Sequence, residues 1–373
     1  MILAYLILHS GTISGGRSVK GGQKSMDTLS KTLLDFAITE GGCAAGIATI
    51  KTLASGPPSA DLTYVHPNAK SAVVFAVPLD QKLIRPFLIK QDWLSMERNV
   101  QYANSLASGI SLALANYLEM GGITSVPIPA NLQYRTDTPN RIFDLYPNIS
   151  HRYLAVRSGV GHFGLSGNVI TLKEGAAVIL GSVITTVELT PTDPLPPEEN
   201  YCDGCGICMA SCVSGFVDHR EKVSVTLGGI EFTYSKRRDY YRCGFVCGGF
   251  TGLHTSGQWS TWSPGRFSIP AHDGEFAKAT AKALKRQIQW PAFEGGFYNT
   301  IMREIGKTRM ACAHCQLVCT PNREERKHRY NMLTKSGVVV QNEDGSLEAV
   351  TPQSAINRLA SMIPETHALY EDI

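Results

Sequence analysis

The hydrophobic pattern of the chain becomes regular near Asp27. In TLSKTLLDFAITEGG, the residues Leu29, Leu33 and Ala37 recur at helical spacing, and a pair of glycines ends the run. This pattern predicts an amphipathic helix. A longer helix is predicted from Ser95 to Met120, because the same spacing is again followed by two glycines.

Apolar runs rich in β-branched residues alternate with these helical segments. SAVVFAVPL, 71 to 79, is apolar almost throughout, which is typical of a strand buried on both faces. Another strand is predicted near ITSVPIP, 123 to 129, and a helix from about Ser150 to Ser158. GNVIT and AAVILGSVITTVEL are predicted to pair around the turn LKEG. The alternation predicts a mixed α/β layer.

A polar, proline-rich stretch, PTDPLPPEEN (191 to 200), divides the chain. Before it, residues 1–25 are predicted to be a flexible extension and 26–195 a first domain. After it, residues 196–330 are predicted to be a second domain with a loop insertion, and 331–373 a C-terminal tail with a hairpin at NEDGS. The second domain should include a helix from about Asp273 to Gln289. The mixed charge run NREERKHRY, 322 to 330, is predicted to be a solvated helical face.

Composition changes this picture little. The chain of 373 residues is 43% apolar and 18% charged, which is ordinary for a protein with a large core. A formal charge of +3 gives no general reason to expect nucleic acid or a membrane as partner. The apolar start MILAYLIL falls short of the roughly 20 residues that span a bilayer. We therefore expect no membrane association.

The candidate chemistry lies in the cysteines. Seven of the ten occur in two tight runs, and neighbours that close would gain nothing from disulfides, which indicates a reducing, cytoplasmic setting. The first run has the spacing C-x2-C-x2-C-x3-C, in which three cysteines bind one [4Fe-4S] cluster and the fourth binds another. Its members are Cys202, Cys205, Cys208 and Cys212.

A second run, ACAHCQLVC, supplies the ligands for a second cluster. If Cys319 completes the first cluster, then Cys212, Cys312 and Cys315 remain for the second, which needs one more thiolate. YYRCGFVC offers either Cys243 or Cys247. Structural zinc is the alternative reading, but three cysteines within seven residues crowd a single tetrahedral ion.

A glycine-rich segment, SGVGHFGLSGN, contains G-x-G-x-x-G at Gly159, Gly161 and Gly164. A dinucleotide-binding turn should follow a strand and open a helix, whereas the preceding HRYLAVR reads as a helix that ends at the glycines. The segment is therefore predicted to let the backbone approach a large flat ligand closely instead of binding a nicotinamide cofactor.

Several of these segments together resemble a known family. FDLYP, SHRYLAVRSGVGHFGLSGNVIT, CDGCGICMASC, YYRC and CAHCQLVC occur in the order found in the cobalamin-dependent iron–sulfur reductases, which include epoxyqueuosine reductases and reductive dehalogenases. The resemblance runs from about Asp27 to Cys319. It implies an α+β protein with a nitroreductase-like α/β domain that holds base-off cobalamin. A ferredoxin-like domain with two [4Fe-4S] clusters would follow it.

The resemblance also implies roles for individual residues. Cys243 follows Arg242, as the isolated cluster ligand does in epoxyqueuosine reductases, and Asp144 matches their proton donor. Dehalogenases use a tyrosine beside a basic residue, and Tyr153 with Arg152 is the pair predicted to match them. Tyr134, Tyr146 and Arg135 are further choices. The residues expected around the corrinoid are His151, Gly159, Gly161, His162, Phe163, Gly164, Ser166, Gly167 and Asn168.

The implied function is reductive. The clusters would bring cobalt to Co(I), which would cleave a carbon–halogen or carbon–oxygen bond of a small molecule, with ferredoxin or flavodoxin as low-potential donor. The replacement of the C-P-W-N continuation of epoxyqueuosine reductases by Cys319-Thr320-Pro321-Asn322 favours a small molecule over tRNA. Three alternatives stay open: an epoxyqueuosine reductase acting on tRNA, an electron-transfer protein serving a corrinoid partner, and a flavin enzyme.

Overall fold

The computed structural model describes residues 19–130, 133–292 and 310–372. The predicted extension therefore lies outside the described residues up to position 18. The first half of the chain forms the elements α1 (Val19–Thr39), β1 (Ala44–Thr49), β2 (Ser71–Pro78), α2 (Gln81–Leu88), α3 (Leu94–Met120), β3 (Ser125–Ile128), α4 (His151–Arg157), β4 (His162–Phe163), β5 (Val169–Ile170) and β6 (Val178–Thr185).

The second half begins after the proline-rich stretch and is made of shorter elements. These are α5 (Ile207–Ala210), β7 (Val217–Leu227), β8 (Ile230–Arg237), α6 (Tyr240–Cys247), α7 (Phe276–Gln287), α8 (His314–Leu317), α9 (Arg323–Thr334), β9 (Val338–Gln341), β10 (Leu347–Val350), α10 (Pro352–Ala360) and α11 (Pro364–His367). Together the two halves give the mixed helix and sheet fold expected from the sequence. The finer assignment to nitroreductase-like and ferredoxin-like domains stays a prediction.

The central sheet has four antiparallel strands in the order β1-β2-β6-β3. Successive side chains of a strand point to opposite faces. In β2, Val73 and Phe75 therefore pack in the core cluster that includes α3, whereas Val74 and Ala76 pack in the cluster that includes α4. Burial on both faces explains why this strand is apolar almost throughout.

Most of the predicted elements of the first half are present. The long helix, the strands at 71–79 and 123–129, and the helix after Ser150 lie where the pattern placed them. The first helix begins at Val19, earlier than Asp27. The prediction that GNVIT pairs with AAVILGSVITTVEL is wrong: β5 pairs with β4, and β6 pairs with β2 and β3. The longer run is recruited into the central sheet because it matches the buried strand β2 over eight residue pairs.

Two features of the second half differ from the sequence analysis. The hairpin β7–β8 was not predicted, although its turn is a Gly228–Gly229 pair in which both residues have positive φ. The charge run at 322–330 does form a helix, α9, but Arg326 and Arg329 are buried in place of facing solvent. Residues 331–373 contain the predicted hairpin, β9–β10, followed by two helices.

Among the described residues, no helix combines the length and apolar character needed to cross a membrane.

Candidate functional site

Three neighbouring cysteines and one distant in sequence surround a small cavity. The loop before α5 carries Cys202 and Cys205, and α5 itself carries Cys208. Cys319 lies just after α8. Gly204 and Gly206 have φ of 71° and 72°, which lets the chain curl between the cysteines. These are the four residues that the sequence spacing assigned to the first cluster.

The walls of this cavity shield most of its sulfur atoms from water. Burial raises the pKa of Cys208 to about 11 and that of Cys319 to about 12, so both thiols are protonated without a metal. The backbone N–H of Leu165 donates to Cys202 Sγ over 3.2 Å. Cys205 is exposed, so this cavity has one edge at the surface.

Five of the other six cysteines gather beside the helix α6, and Cys43 lies apart from them. Cys212, Cys312 and Cys243 interact electrostatically, and Cys315 interacts with all three. Cys247 is the fifth member, with its sulfur 3.9 Å from that of Cys243.

The two cysteines of α6 differ in their surroundings. The Cys247 thiol donates to the backbone carbonyl of Cys312 over 3.2 Å. A hydrogen bond between the two side chains lowers the pKa of Cys243 and raises that of Cys247 well above its ordinary value. Cys243 also interacts electrostatically with Cys212, Cys312 and Cys315, which makes it part of this group of thiols.

The cysteine groups suit a cluster better than a single ion. In the described parts of the chain, no three His, Cys, Asp or Glu side chains converge closely enough to hold one metal ion. A tetrahedral zinc ion needs its four ligand atoms within about 2.3 Å of one point. The ligands of a [4Fe-4S] cluster instead attach to separate corners of a cube, so their sulfur atoms stand farther apart.

A large cavity adjoins the second cysteine group. Its volume is about 660 Å³, within the roughly 300–1,000 Å³ of small-molecule and cofactor sites. One wall is apolar and comes from β3, β5 and β6, and the opposite wall is α6. Cys243, Gly244 and Cys247 line that second wall.

The polar end of this cavity carries two guanidinium groups. Arg152 donates to the Gly167 carbonyl over 2.8 Å and to the Tyr240 hydroxyl over 3.3 Å. Arg237 donates to the Ser166 carbonyl over 3.0 Å and to Asn168 Oδ1 over 2.7 Å. Burial raises the pKa of Tyr240, but the charges of Arg152 and Arg237 outweigh it and lower the pKa below its ordinary value. This end of the cavity therefore favours anionic groups.

His151 also lines the cavity, and its ring is held by hydrogen bonds. Nδ1 lies 3.1 Å from Ser182 Oγ, and Nε2 lies 3.4 Å from the carbonyl of Pro129. Burial lowers the pKa of His151 to about 4, so the ring is neutral at physiological pH.

The glycines predicted to contact a flat ligand are mostly packed against other segments of the protein. A Cβ at Gly159 would lie 2.4 Å from the Asp193 carbonyl oxygen, and one at Gly161 would lie 2.6 Å from that of Ile170. Gly164 packs on Ile170, and Gly167 packs on Tyr234. Close packing between strands and loops, and not space for a ligand, explains the absence of side chains here.

The other predicted corrinoid residues are divided between the two cavities and the core. Asn168 lines the large cavity, and Ser166 lines the small one. Phe163 packs at 4.6 Å between ring centroids on Tyr234 in the core. His162 is half-buried on β4, and its Nε2 has no hydrogen-bond partner among the described residues.

Of the three predicted catalytic residues, Arg152 and Tyr153 lie together, with the guanidinium carbon 5.5 Å from the ring centroid. Asp144 accepts hydrogen bonds from the backbone and side chain of Asn140, which lower its pKa, and it does not line the cavity, although the adjacent Leu145 does. The Tyr153 hydroxyl lies 3.1 Å from that of Tyr234, and burial raises its pKa. Of these three residues only Arg152 lines the cavity.

Sequence reasoning missed Arg237 and Tyr240. Both follow from the overlooked hairpin, since Arg237 ends β8 and Tyr240 begins α6. The available signal was the alternation VSVTLGGIEFTY around a two-glycine turn.

Comparison with known proteins finds related sequences over a short segment. An epoxyqueuosine reductase of Gloeobacter violaceus is 36% identical over 64 residues, which are 17% of this chain and 19% of that protein. The one of Atelocyanobacterium thalassa is 38% identical over 71 residues, which are 19% of this chain and 22% of that protein. The chain thus matches about a fifth of the length of these relatives. No family model matches the chain.

Solved structures were compared as well. An epoxyqueuosine reductase with an epoxyqueuosine-modified tRNA stem loop gives a TM-score of 0.40 at 16% identity, over 91% of this chain and 74% of that one. A reductive dehalogenase described for B12-dependent dehalogenation gives 0.46 at 13% identity, over 92% and 52%. The name of the two curated relatives, epoxyqueuosine reductase, matches one member of the family that the sequence motifs resemble.

Proposed function

We propose that the chain is an iron–sulfur oxidoreductase that uses cobalamin to cleave a carbon–halogen or carbon–oxygen bond of a small molecule. Two [4Fe-4S] clusters would be held by two sets of cysteines. The sets are Cys202, Cys205, Cys208 and Cys319 for the first, and Cys212, Cys243, Cys312 and Cys315 for the second. Bound in the large cavity, cobalamin would supply a strongly reducing metal centre with an open face.

The observation that carries the proposal is the shared wall between the second cysteine group and the large cavity. Cys243 belongs to both. An electron carrier at these cysteines would therefore contact the occupant of the cavity directly. A protein that only relayed electrons to a partner would need no cavity of about 660 Å³ at this point.

The side chains of this chain would position and protonate the reacting molecule. The apolar wall from β3, β5 and β6 excludes water, and Asn168 and Arg152 supply hydrogen-bond donors at the polar end. Tyr240 is the best-placed proton donor, because its hydroxyl lies in the cavity and its pKa is lowered by two arginines. Asp144 could reach the cavity only through a movement of its loop, which has positive φ at Arg141 and Leu145.

Blocking the cavity tests the proposal. A Cβ at Gly244 would meet open space, and Gly244 lines the cavity, so Gly244→Phe should fill part of the space that cobalamin needs. Gly274→Phe is the matched control, because Gly274 is also open but does not line the cavity. After anaerobic reconstitution with iron, sulfide and cobalamin, the wild type and the control should retain corrinoid absorbance after gel filtration, and Gly244→Phe should lose at least tenfold in affinity. Loaded clusters without any retained corrinoid in the wild type would refute the proposal, and retained FMN would favour the flavin alternative.

Reduction of epoxyqueuosine in tRNA is the second candidate, because the curated relatives bear that name. The replacement of the C-P-W-N continuation at Cys319–Asn322 gives precedence to a small molecule. Turnover assays with an epoxyqueuosine-containing tRNA stem loop separate the two candidates.

A further inference from the structure

Each cysteine group has a buried or enclosed arginine beside it. Arg326 lines the small cavity and interacts with Cys319, and Arg237 interacts with Cys243 and Cys315. Neither arginine was singled out by the cysteine spacing. An arginine stays charged at any pH that the protein meets, so each brings a permanent positive charge to its cysteine group.

The two charges differ in how they are compensated. Arg326 donates to Asp203 Oδ2 over 3.0 Å, and Arg323 contacts the same oxygen at 3.2 Å. Burial of Arg326 to 3% exposure makes this pair a close one with little water between the charges. Asp203 therefore offsets much of the charge that Arg326 brings to the first cysteine group.

Arg237 has no such carboxylate. It donates to the Ser166 carbonyl, Asn168 Oδ1 and the Tyr240 hydroxyl, and it lies over the ring of Phe216. Among residues 19–130, 133–292 and 310–372 no Asp or Glu lies within 4.0 Å of it. Its side chain is half-buried at the edge of the cavity, and the other charged residue that lines this cavity is a second cation, Arg152. A half-buried charge with only neutral partners is stabilised by an anion placed beside it.

A reduced iron–sulfur cluster is that anion. Four thiolates give a [4Fe-4S] centre a net negative charge, and reduction makes it more negative. A positive charge nearby stabilises the reduced state more than the oxidised state, which raises the reduction potential. The effect is strongest where protein excludes water.

We propose that Arg237 raises the reduction potential of the second cluster, whereas Asp203 offsets much of the corresponding effect of Arg326 on the first. The charges thereby direct electrons from the exposed edge at Cys205 toward the cluster that borders the large cavity. Arg237 acts on the cluster only through its positive charge, and it binds neither iron nor substrate. The inference rests on the two clusters of the proposed function but not on cobalamin.

Redox titration of the anaerobically reconstituted full chain, followed by electron paramagnetic resonance, tests the inference. The signal that disappears in Cys243→Ser identifies the second cluster. Arg237→Gln should shift the midpoint of that cluster to lower potential and leave the other unchanged. Arg237→Lys, which keeps the charge, should restore most of the wild-type value. Arg238→Gln is the matched control, because Arg238 is exposed and paired with Asp218 at 2.8 Å.

Asp203→Asn supplies a test of opposite sign on the other cluster. Asparagine keeps an oxygen that can accept the hydrogen bond from the Cys205 N–H but removes the charge that offsets Arg326. The midpoint of the first cluster should therefore rise while that of the second stays constant. If both clusters assemble and neither Arg237→Gln nor Asp203→Asn moves its own cluster, the inference is wrong. If no cluster assembles in the wild type, the proposed function fails instead.

Discussion

Cys243 and Cys247 lie one helical turn apart in α6, yet their surroundings differ. Cys243 faces three other cysteines, whereas the Cys247 thiol is a hydrogen-bond donor to Cys312. The sequence spacing left both open as the fourth ligand of the second cluster, because either could reach the other cysteines from α6. The family resemblance favoured Cys243, and the residue environment favours it independently.

Single replacements distinguish the two roles. Cys243→Ser should remove a ligand, so the iron content after anaerobic reconstitution should fall from roughly eight to roughly four atoms per chain. Cys247→Ser should keep about the full content, because serine can still donate to the carbonyl of Cys312. Iron analysis with visible absorbance measures both. Equal loss in the two variants, or loss only in Cys247→Ser, would reverse the assignment.

At the scale of elements, the contact between β1 and α4 holds the cavity residues in place. Gly46 of β1 lies against the end of α4, and a Cβ there would be 2.1 Å from the Ser158 carbonyl oxygen. The same helix carries His151 and Arg152, which line the cavity. A side chain at Gly46 would have to push the helix away from the sheet.

Replacing this glycine should therefore destabilise the protein. We expect Gly46→Ala to lower the free energy of unfolding by about 1–3 kcal/mol, the usual cost of overpacking. Gly109→Ala is the control, because Gly109 lies within α3 with nothing within 4 Å of its Cβ position, and it should gain about 0.5–1 kcal/mol from better helix propensity. Denaturant unfolding followed by circular dichroism measures both. Unchanged stability of Gly46→Ala would show that the contact relaxes freely.

The elements also differ in how well they could be predicted from the sequence. The strand β2 and the helix α3 were predictable because burial on two faces and helical periodicity leave local patterns. The grouping of cysteines was predictable because ligand spacing is local as well. The polar end of the cavity was not, since it forms where the hairpin β7–β8 meets the loop at 166–168. Contacts between segments about 70 residues apart leave no local sequence pattern from which they could be predicted.

The same limit applies to the predicted catalytic and glycine residues. Asp144 and Tyr153 were chosen from motifs, but whether they face a cavity depends on tertiary packing. Tyr153 instead pairs with Tyr234 of β8, a strand that the pattern analysis overlooked. The glycines at 159–167 were taken as space for a ligand, whereas neighbouring backbone and side chains fill it.

At the scale of the whole molecule, the cysteine groups and the large cavity form a series. Cys205 brings the first group to the surface, where a low-potential donor can approach. Cys243 brings the second group to the wall of the cavity. Electrons entering at the first group would reach the cavity through the second, and the unequal compensation of Arg326 and Arg237 would favour that direction.

The account depends most on two iron–sulfur clusters at these eight cysteines. Its most direct test is metal and sulfide analysis of the anaerobically purified or reconstituted chain, together with its electron paramagnetic resonance spectrum after reduction. The account predicts roughly eight iron and eight sulfide per chain and signals from two reduced [4Fe-4S] clusters. Stoichiometric zinc with no acid-labile sulfide would contradict it.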